Sequence, residues 1–309
     1  MLQHLWELRQ LLPTYYLLIT TLLAFTCFFT LYFPNWWQII PALTTYGKAS
    51  DQFEDDSFVA KVSVPKRWFK HFYAIGSVLL ILSLHTLYSL TIDTNYLPKW
   101  VLKAMKTLSY GSDNPPIPFS TSIWALSLLT LHLLRRLYET IFVSVYSDSK
   151  MNIFHYFVGI LHYILLPIAI LCETAGVASH SESLKFDYSK ISIPQIVSSI
   201  VFVYFNYQQH QIAHKMASAR IGPRGLIRNY AYGIVFGGLF NYVSCPHFLC
   251  EIFIYISLWA IIPMAYVYGY VVFFVCVNQI FAALITHQWY LKTFQQYPKN
   301  RNALIPFIL

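Results

Sequence analysis

The sequence predicts an all-α integral membrane protein that crosses the bilayer about seven times. Apolar residues make up 57% of the 309 positions and charged residues only 11%, whereas a soluble domain carries roughly 25% charged residues. Seven apolar runs approach the roughly 20 residues that a helix needs to cross about 30 Å of hydrocarbon. Two long segments contain Lys and Arg without any Asp or Glu, which is typical of cytosolic loops.

The predicted spans follow the apolar runs. In chain order they are approximately Leu11–Phe33, Phe72–Ile92, Ser120–Phe142, Ile153–Thr174, Ile191–Tyr207, Phe248–Tyr268 and Gly269–Ile285. The first run is too long for a signal-peptide core and has no small-residue cleavage site, so residues 1–45 are expected to hold a retained anchor helix. The fifth run is the weakest, because it is short and interrupted by Pro194.

The distribution of charge predicts the orientation. Segment 208–246 carries four cations and the tail after Ile285 carries three, and neither contains an acid. By the positive-inside rule both face the cytosol. Counting the spans back from these loops places the N-terminus in the lumen and the C-terminus in the cytosol.

The composition argues against several other classes. The net charge of +8 follows from only thirteen acids and fits basic loops beside an anionic leaflet, so it does not require nucleic acid. Cys245 and Cys250 lack metal-ligand spacing and no second pair exists, so neither a zinc site nor a disulfide framework is expected. The sequence contains no Rossmann or P-loop motif and no repeat that would support a repeat-built transporter.

Ionisable residues inside predicted spans indicate a functional region, because each is costly in lipid. In the third run, His132, Arg135, Arg136 and Glu139 follow one another at i, i+3, i+4 and i+7, which is one helical face. Pairing of Glu139 with Arg135 or Arg136 is expected. The face is either part of a functional cavity or a structural ion pair near the cytosolic interface with snorkelling arginines.

Three further segments carry polar residues within or beside predicted spans. In the sixth run His247 and Glu251 lie at i and i+4, which favours a polar pair lining a cavity, because a metal site would need a third ligand. At the entry of the second run, His71 and Tyr73 are expected to point into the bilayer. The cations that precede them, Lys66, Arg67 and Lys70, either anchor the helix at the interface or belong to a functional site. At the end of the fifth run, Asn206, Gln209, His210 and His214 would share one face if the helix continues that far.

The loop after the fifth run combines Arg220, Arg224 and Arg228 with glycines. Guanidinium groups on such a loop suit phosphate or pyrophosphate recognition. The alternative is ordinary positive-inside charge.

Taken together, these segments resemble the steroid 5α-reductase family. The most specific matches are the tail His287–Leu309 and the stretch Gly237–Glu251, and the stretches Val64–Tyr73 and Arg135–Ser147 are closer to its polyprenol reductase branch. The resemblance runs from about Tyr46 onward, so residues 1–309 are expected to form one membrane-embedded domain, with an anchor in 1–45 and a family-like core in 46–309.

The resemblance implies a seven-helix reductase of the endoplasmic reticulum, with NADPH and a lipid in a cavity between the helices. The implied reaction saturates the α-isoprene double bond of a long polyprenyl lipid, which leads to dolichol and supports N-glycosylation; no metal is implied. A reductase of steroid enones or enoyl-CoA is the alternative enzyme. A transporter or an inactive scaffold is the alternative outside enzymes.

Motif positions in the resemblance imply site residues. The implied cofactor contacts are Arg220, Tyr242, Glu251 and Tyr290, and the implied cavity residues are His132, Arg136, Glu139 and His287. The family often has Arg where this chain has Gly233 and Asn where it has His247. Arg224 or Arg228 is therefore expected to supply the guanidinium, and His247 is included in the cofactor site.

Hydride adds readily only to an electron-poor alkene, so the α,β-unsaturated aldehyde polyprenal is favoured over the alcohol as the species reduced. A hydrogen-bond donor would stabilise the enolate oxygen. The candidates are His287, His71, Tyr73 and Tyr138, between which the sequence does not decide. Tyr290 shares a helical face with His287 and joins the catalytic candidates.

Overall fold

The computed structural model describes residues 10–33, 40, 62–109, 115–177, 184, 186–187, 191–222 and 224–309. The α-helices in these segments include α1 (Leu11–Tyr32), α2 (Phe69–Ile92), α3 (Lys99–Leu108), α4 (Phe119–Tyr138), α5 (Ile153–Leu171), α6 (Ile193–Ser218), α7 (Pro246–Ile261) and α8 (Tyr266–Thr293). Most of the segment between α1 and β1 lies outside the described residues, so the anchor expected in 1–45 is described essentially as α1.

Helices occupy all seven predicted runs, but two boundaries were wrong. The turn between the last two helices falls at residues 262–265 rather than between Tyr268 and Gly269. Pro263 lies in this turn, and proline ends helices because it lacks a backbone N–H and clashes with the preceding turn. The fifth helix extends to Ser218, eleven residues beyond the predicted end at Tyr207, so the polar segment after Tyr207 is helical.

Among the described residues, four helical segments are long and apolar enough to cross a membrane: Leu11–Tyr32, Lys66–Ile92, Ile153–Leu171 and Tyr266–Thr293. Helix α7 is apolar but has only 16 residues. Helices α4 and α6 have 20 and 26 residues but carry the polar groups described below. The protein is therefore a helical membrane protein, and the number of seven spans stays a prediction.

Packing brings the two ends of the chain together. Helix α1 packs on α8, α6 packs on α7, and α2 packs between α4 and α5. Gly76 permits the close approach of α2 and α4, because a Cβ there would lie 2.7 Å from Leu133 Cδ1. The core includes Tyr255 and Tyr268, whose rings are parallel to within 2° at 6.4 Å.

A short ladder ties the entries of α2 and α5 together. Strand β1 (Ser63–Pro65) pairs antiparallel with β2 (Lys150–Asn152). The 3₁₀ turn Lys66–Trp68 follows β1 directly and leads into α2. On the other side, the Asn152 side chain accepts a hydrogen bond from Phe154 N at 2.9 Å and so caps α5. The ladder fixes the backbone of two loops beside the site described below.

Helix α3 is an element that the sequence analysis missed. Its ten residues are too few to span a bilayer. Leu102 is buried, and Met105 and Leu108 pack against the core, whereas Lys99 and Lys103 are exposed. This amphipathic pattern, outside the apolar runs, is the signal that would have identified it.

Glu173 fixes the start of α8. It lies in the turn after α5, is 3% exposed, and its Oε2 accepts a hydrogen bond from Val267 N at 2.9 Å. Burial raises the pKa of this carboxyl group to about 7, although hydrogen bonds from the backbone of Val267 and Tyr266 oppose the rise. The folded protein therefore binds this proton more tightly than the unfolded chain. The resulting stabilisation is present below about pH 4.5 and is lost as the pH rises through about 7.

We expect Glu173→Gln to remove this pH dependence, because the amide oxygen can still accept from Val267 N but the group cannot ionise. The variant should melt at a higher temperature than the parent at pH 8 and at a similar temperature near pH 5. Thermal unfolding of detergent-solubilised protein at the two pH values measures the difference. Identical pH dependence in parent and variant would show that Glu173 does not titrate in this range.

Candidate active site

A cavity of about 520 Å³ lies between the helices and is lined by parts of α1, α2 and α4–α8. Its volume is within the range of roughly 300–1,000 Å³ that small-molecule sites occupy. The lining from α1, α5 and α8, which we call the apolar wall, is mostly apolar and includes Leu22, Leu23, Val158 and Phe274. Its polar members include His155, His162, Asn278 and Gln279. The charged lining residues of the cavity come from other segments, namely Lys66, Arg136, Arg220 and Glu251. The cavity can therefore hold a polar and an apolar group side by side.

The charged side begins with two arginines on one carboxylate. Arg135 and Arg136 both bind Glu139, Arg136 through its NH1 at 2.5 Å from Oε2. Glu139 is fully buried and opens the π-helical turn Glu139–Val143 that extends α4. The pairing expected from the sequence is confirmed, and both arginines take part rather than one.

Helix α6 completes this arrangement from the other side. His210 Nδ1 lies 2.9 Å from Glu139 Oε1, and Gln209 Oε1 accepts from Arg135 NH2 at 2.5 Å. Asn206 Oδ1 accepts from Arg135 Nε at 3.1 Å and lies 2.8 Å from His132 Nδ1. The polar end of α6 is therefore helical, and three of the four residues predicted to share a face contact Arg135 or Glu139. The fourth, His214, lies with its ring centroid 4.6 Å from that of His210.

Gln209 connects the arginines to the carboxylate of Glu251. Its Nε2 donates to Glu251 Oε2 at 2.6 Å and to the backbone oxygen of His247 at 3.1 Å. On the other side, His132 Nε2 lies 3.6 Å from Glu251 Oε1. We call this set the polar network; its members are Tyr73, His132, Arg135, Arg136, Glu139, Asn206, Gln209, His210 and Glu251.

Tyr73 brings the polar network to the cavity surface. Arg136 NH2 donates to the Tyr73 hydroxyl oxygen at 3.0 Å, and the guanidinium carbon lies 5.0 Å from the ring centroid. Tyr73 and Arg136 both line the cavity. A hydroxyl group that accepts from a guanidinium group becomes a stronger donor to a further acceptor.

One end of the cavity is cationic. Lys66, Arg220 and Tyr232, which we call the cationic end, all line it. Arg220 donates to the backbone oxygen of Val145, and its guanidinium carbon lies 4.4 Å from the Tyr232 ring centroid. Cationic side chains that are fixed in this way can bind a phosphate group at the cationic end.

His287 lies behind the cavity wall. Its Nδ1 is 2.6 Å from Ser244 Oγ, and the same oxygen is 2.6 Å from the Tyr297 hydroxyl. Ser244 lines the cavity, whereas His287 is not among the described lining residues. The direct substrate contact expected for His287 therefore has no support in the geometry.

The structure separates the remaining candidates into two groups. Tyr290, His247, Glu251 and Arg220 line the cavity, as do Tyr73 and Arg136. The other candidates do not belong to the described lining; they are His71, His132, Arg135, Tyr138, Glu139, Arg224, Arg228 and Tyr242.

Their positions explain why. Tyr138 and Tyr242 are about half exposed, and Arg224 and Arg228 are exposed on the loop. His71 Nδ1 bonds instead to Tyr156 OH at 2.9 Å. The remaining three, His132, Arg135 and Glu139, belong to the polar network and contact lining residues.

The sequence analysis missed Asn278 and Gln279, which line the cavity from the middle of α8. Gln279 Oε1 is buried, and no described residue hydrogen-bonds to it. Two adjacent amides inside an otherwise apolar span were the available signal, because polar groups in lipid usually mark function. Such an unpartnered buried oxygen is uncommon and requires a hydrogen-bond donor that the described residues do not supply.

The fold and the site together define a membrane-embedded helical protein whose cavity combines cationic and apolar lining residues. A family model described as 3-oxo-5-alpha-steroid 4-dehydrogenase matches residues 184–309. A Caenorhabditis elegans protein named polyprenal reductase is 60% identical over 309 residues, which is 100% of both chains. Proteins of the same name are 35% identical in Drosophila melanogaster, over 85% of this chain and 82% of theirs, and 32% identical in Danio rerio, over 85% of each. The chain belongs to the steroid 5α-reductase family.

Proposed function

We propose that this protein is an NADPH-dependent reductase that saturates the α-isoprene double bond of a polyprenyl lipid, with polyprenal as the species reduced. The observation that carries the proposal is the 60% identity, along the whole chain, to a relative named polyprenal reductase. The cavity, with one apolar wall and one charged side, supports it.

The residues present fit a dinucleotide. Arg220 supplies positive charge for phosphates at the cationic end. Gln279 and Arg136 line the cavity, and their Oε1 and Nε atoms are a buried acceptor and a buried donor to which no described residue hydrogen-bonds. Arg220, His247, Glu251 and Tyr290 would hold the cofactor, which supplies a hydride when bound.

The apolar wall suits an isoprenoid chain. Leu22 and Leu23 of α1 face the same cavity as Val158 of α5 and Phe274 of α8. Burial of isoprene units against these side chains contributes about 25 cal/mol per Å² of apolar area. Steroid rings would use the same wall, so the wall alone does not define the substrate.

Tyr73 is the candidate that the geometry favours as donor to the aldehyde oxygen. It lines the cavity and accepts from Arg136, so its own proton is available to the substrate oxygen. Negative charge that develops on this oxygen is stabilised by a donor already fixed in position. An allylic alcohol has no carbonyl oxygen to receive that charge, which is why we propose polyprenal as the substrate.

One assay tests the function. Purified protein with NADPH is offered polyprenal, polyprenol, a steroid enone and an enoyl-CoA in parallel. We expect consumption of polyprenal and no direct reduction of polyprenol. The family model names steroid chemistry, so preferential turnover of the steroid enone would favour that second candidate and refute ours. Failure to bind NADPH at all would favour a scaffold.

The proposed location is the endoplasmic reticulum membrane, with a lumenal N-terminus and a cytosolic C-terminus, where the product would enter dolichol synthesis for N-glycosylation. The acid-free basic loop and tail support this orientation. Protease protection of terminal tags in sealed microsomes measures it. Tags at the two ends should differ in protection, and protection of both or of neither contradicts the orientation.

A further inference from the structure

Lys66 lies at the cationic end of the cavity, in the 3₁₀ turn that precedes α2. Its Nζ donates to the Tyr232 hydroxyl oxygen at 3.2 Å and lies 5.4 Å from the centroid of that ring. The guanidinium of Arg220 lies 4.4 Å from the same centroid. Two cations from distant parts of the chain therefore converge on one tyrosine in the cavity lining.

The backbone around Lys66 is held by pairing with another loop. Lys66 follows β1 directly, and its N–H donates to Ser149 O at 3.0 Å. The hydroxyl groups of Ser147 and Ser149 lie 3.3 and 3.1 Å from the Tyr232 hydroxyl oxygen. The β1–β2 ladder therefore fixes the backbone of Lys66, and the hydroxyl groups of Ser147 and Ser149 lie at the same tyrosine that its side chain contacts.

The residue after Tyr232 leaves space beside these groups. Gly233 lines the cavity, and a Cβ built on it would meet nothing within 4 Å. Arg224 and Arg228, which the sequence suggested as the second cation, are exposed and absent from the described lining. Lys66 provides the positive charge that these arginines do not bring to the cavity.

We propose that Lys66 binds a phosphate group of the dinucleotide cofactor together with Arg220. The inference rests on the proposed function, because it assumes that a dinucleotide enters this cavity. Lysine acts as a compact point charge toward phosphate, and serine hydroxyls add neutral donors. The phosphate is either in the pyrophosphate or on the 2′ position of the adenosine ribose, and the two sources are separable by experiment.

The acidity of Tyr232 agrees with this assignment. Burial by itself raises the pKa of this phenol. The charge of Lys66 and the hydrogen bonds from Ser147, Ser149 and Lys66 outweigh burial and lower the pKa to about 7. The surroundings that lower this pKa are electropositive, and the same positive potential favours a phosphate beside Tyr232 while the phenol is protonated.

The first test measures binding directly rather than activity. We expect Lys66→Met, which keeps the apolar stem, to raise the dissociation constant for NADPH about 10- to 100-fold, the loss expected for one charge-assisted hydrogen bond. Arg67→Met is the matched control, because Arg67 is the exposed neighbouring cation and should leave binding unchanged. Titration with NADH separates the sources. An equal loss for NADH indicates the pyrophosphate, and a loss confined to NADPH indicates the 2′-phosphate.

The second test adds a cation instead of removing one. Gly233→Arg places a guanidinium group in the open space beside Lys66, so it should tighten NADPH binding in the parent and restore much of the loss in Lys66→Met. This arm remains informative if Lys66→Met folds poorly.

Two outcomes would overturn the assignment. Unchanged NADPH affinity in folded Lys66→Met, with weakened binding in Arg220→Ala, removes Lys66 and leaves the proposed function standing. No NADPH binding by the parent removes the proposed function and this assignment together.

Discussion

Replacing Tyr73 with Phe is expected to lower turnover of polyprenal about 100-fold, because the loss of one fixed donor to a developing oxyanion typically costs that much. The ring remains packed edge-on against Tyr163, at 5.3 Å between centroids. Arg136 loses one acceptor but keeps Glu139. Single-turnover reduction with saturating NADPH measures the chemical step separately from binding.

The matched control is Tyr138→Phe, which removes the same hydroxyl group from a half-exposed position outside the described lining. This variant should keep the turnover of the parent. Full activity in Tyr73→Phe would exclude Tyr73 as the donor. A loss of melting temperature that parallels the loss of turnover would indicate a packing role instead.

Glu139→Gln is expected to give the largest loss of stability. The change leaves Arg135 and Arg136 without their shared carboxylate at a site where Glu139 is fully buried. Removal of one partner from a buried ion pair typically costs about 3–5 kcal/mol, which is a large part of the stability of most domains. We expect a low yield of folded protein and a melting temperature well below that of the parent.

The double variant Arg135→Gln/Glu139→Gln tests whether the stability loss of Glu139→Gln comes from unbalanced charge or from altered packing. It removes one cation together with the anion and leaves the net charge of the polar network as in the parent. Partial recovery of folded yield relative to Glu139→Gln is therefore expected. If Glu139→Gln instead melts like the parent but is inactive, Glu139 takes part in the reaction and its structural role here is wrong.

Those features of the site that lie within one helix could be predicted from the sequence. The pairing of Glu139 with Arg135 and Arg136 follows from a spacing of three and four residues, because neighbouring turns place such side chains together. The helical runs were predictable for a similar reason, since lipid imposes a minimum apolar length. The end of α7 was misplaced because apolar residues continue through the turn at Pro263.

Contacts between distant segments were not predictable in the same way. The link from Gln209 to Glu251 joins residues 42 apart, and the link from Lys66 to Tyr232 joins residues 166 apart. Local spacing contains no information on which helices become neighbours. His287 illustrates the limit, because its place in the motif suggested the cavity, whereas its side chain contacts Ser244 behind the wall.

The pairing of the first helix with the last has a consequence for synthesis at the ribosome. The polar network uses residues from Tyr73 to Glu251, so its members have all been translated before α8 is complete. The apolar wall needs α1 and α8 together, since both line the cavity. During translation α1 is inserted before α8 exists, and the intervening helices are added in between. The cavity is therefore closed last, and the nascent chain presents an open cleft to the bilayer until translation is nearly complete.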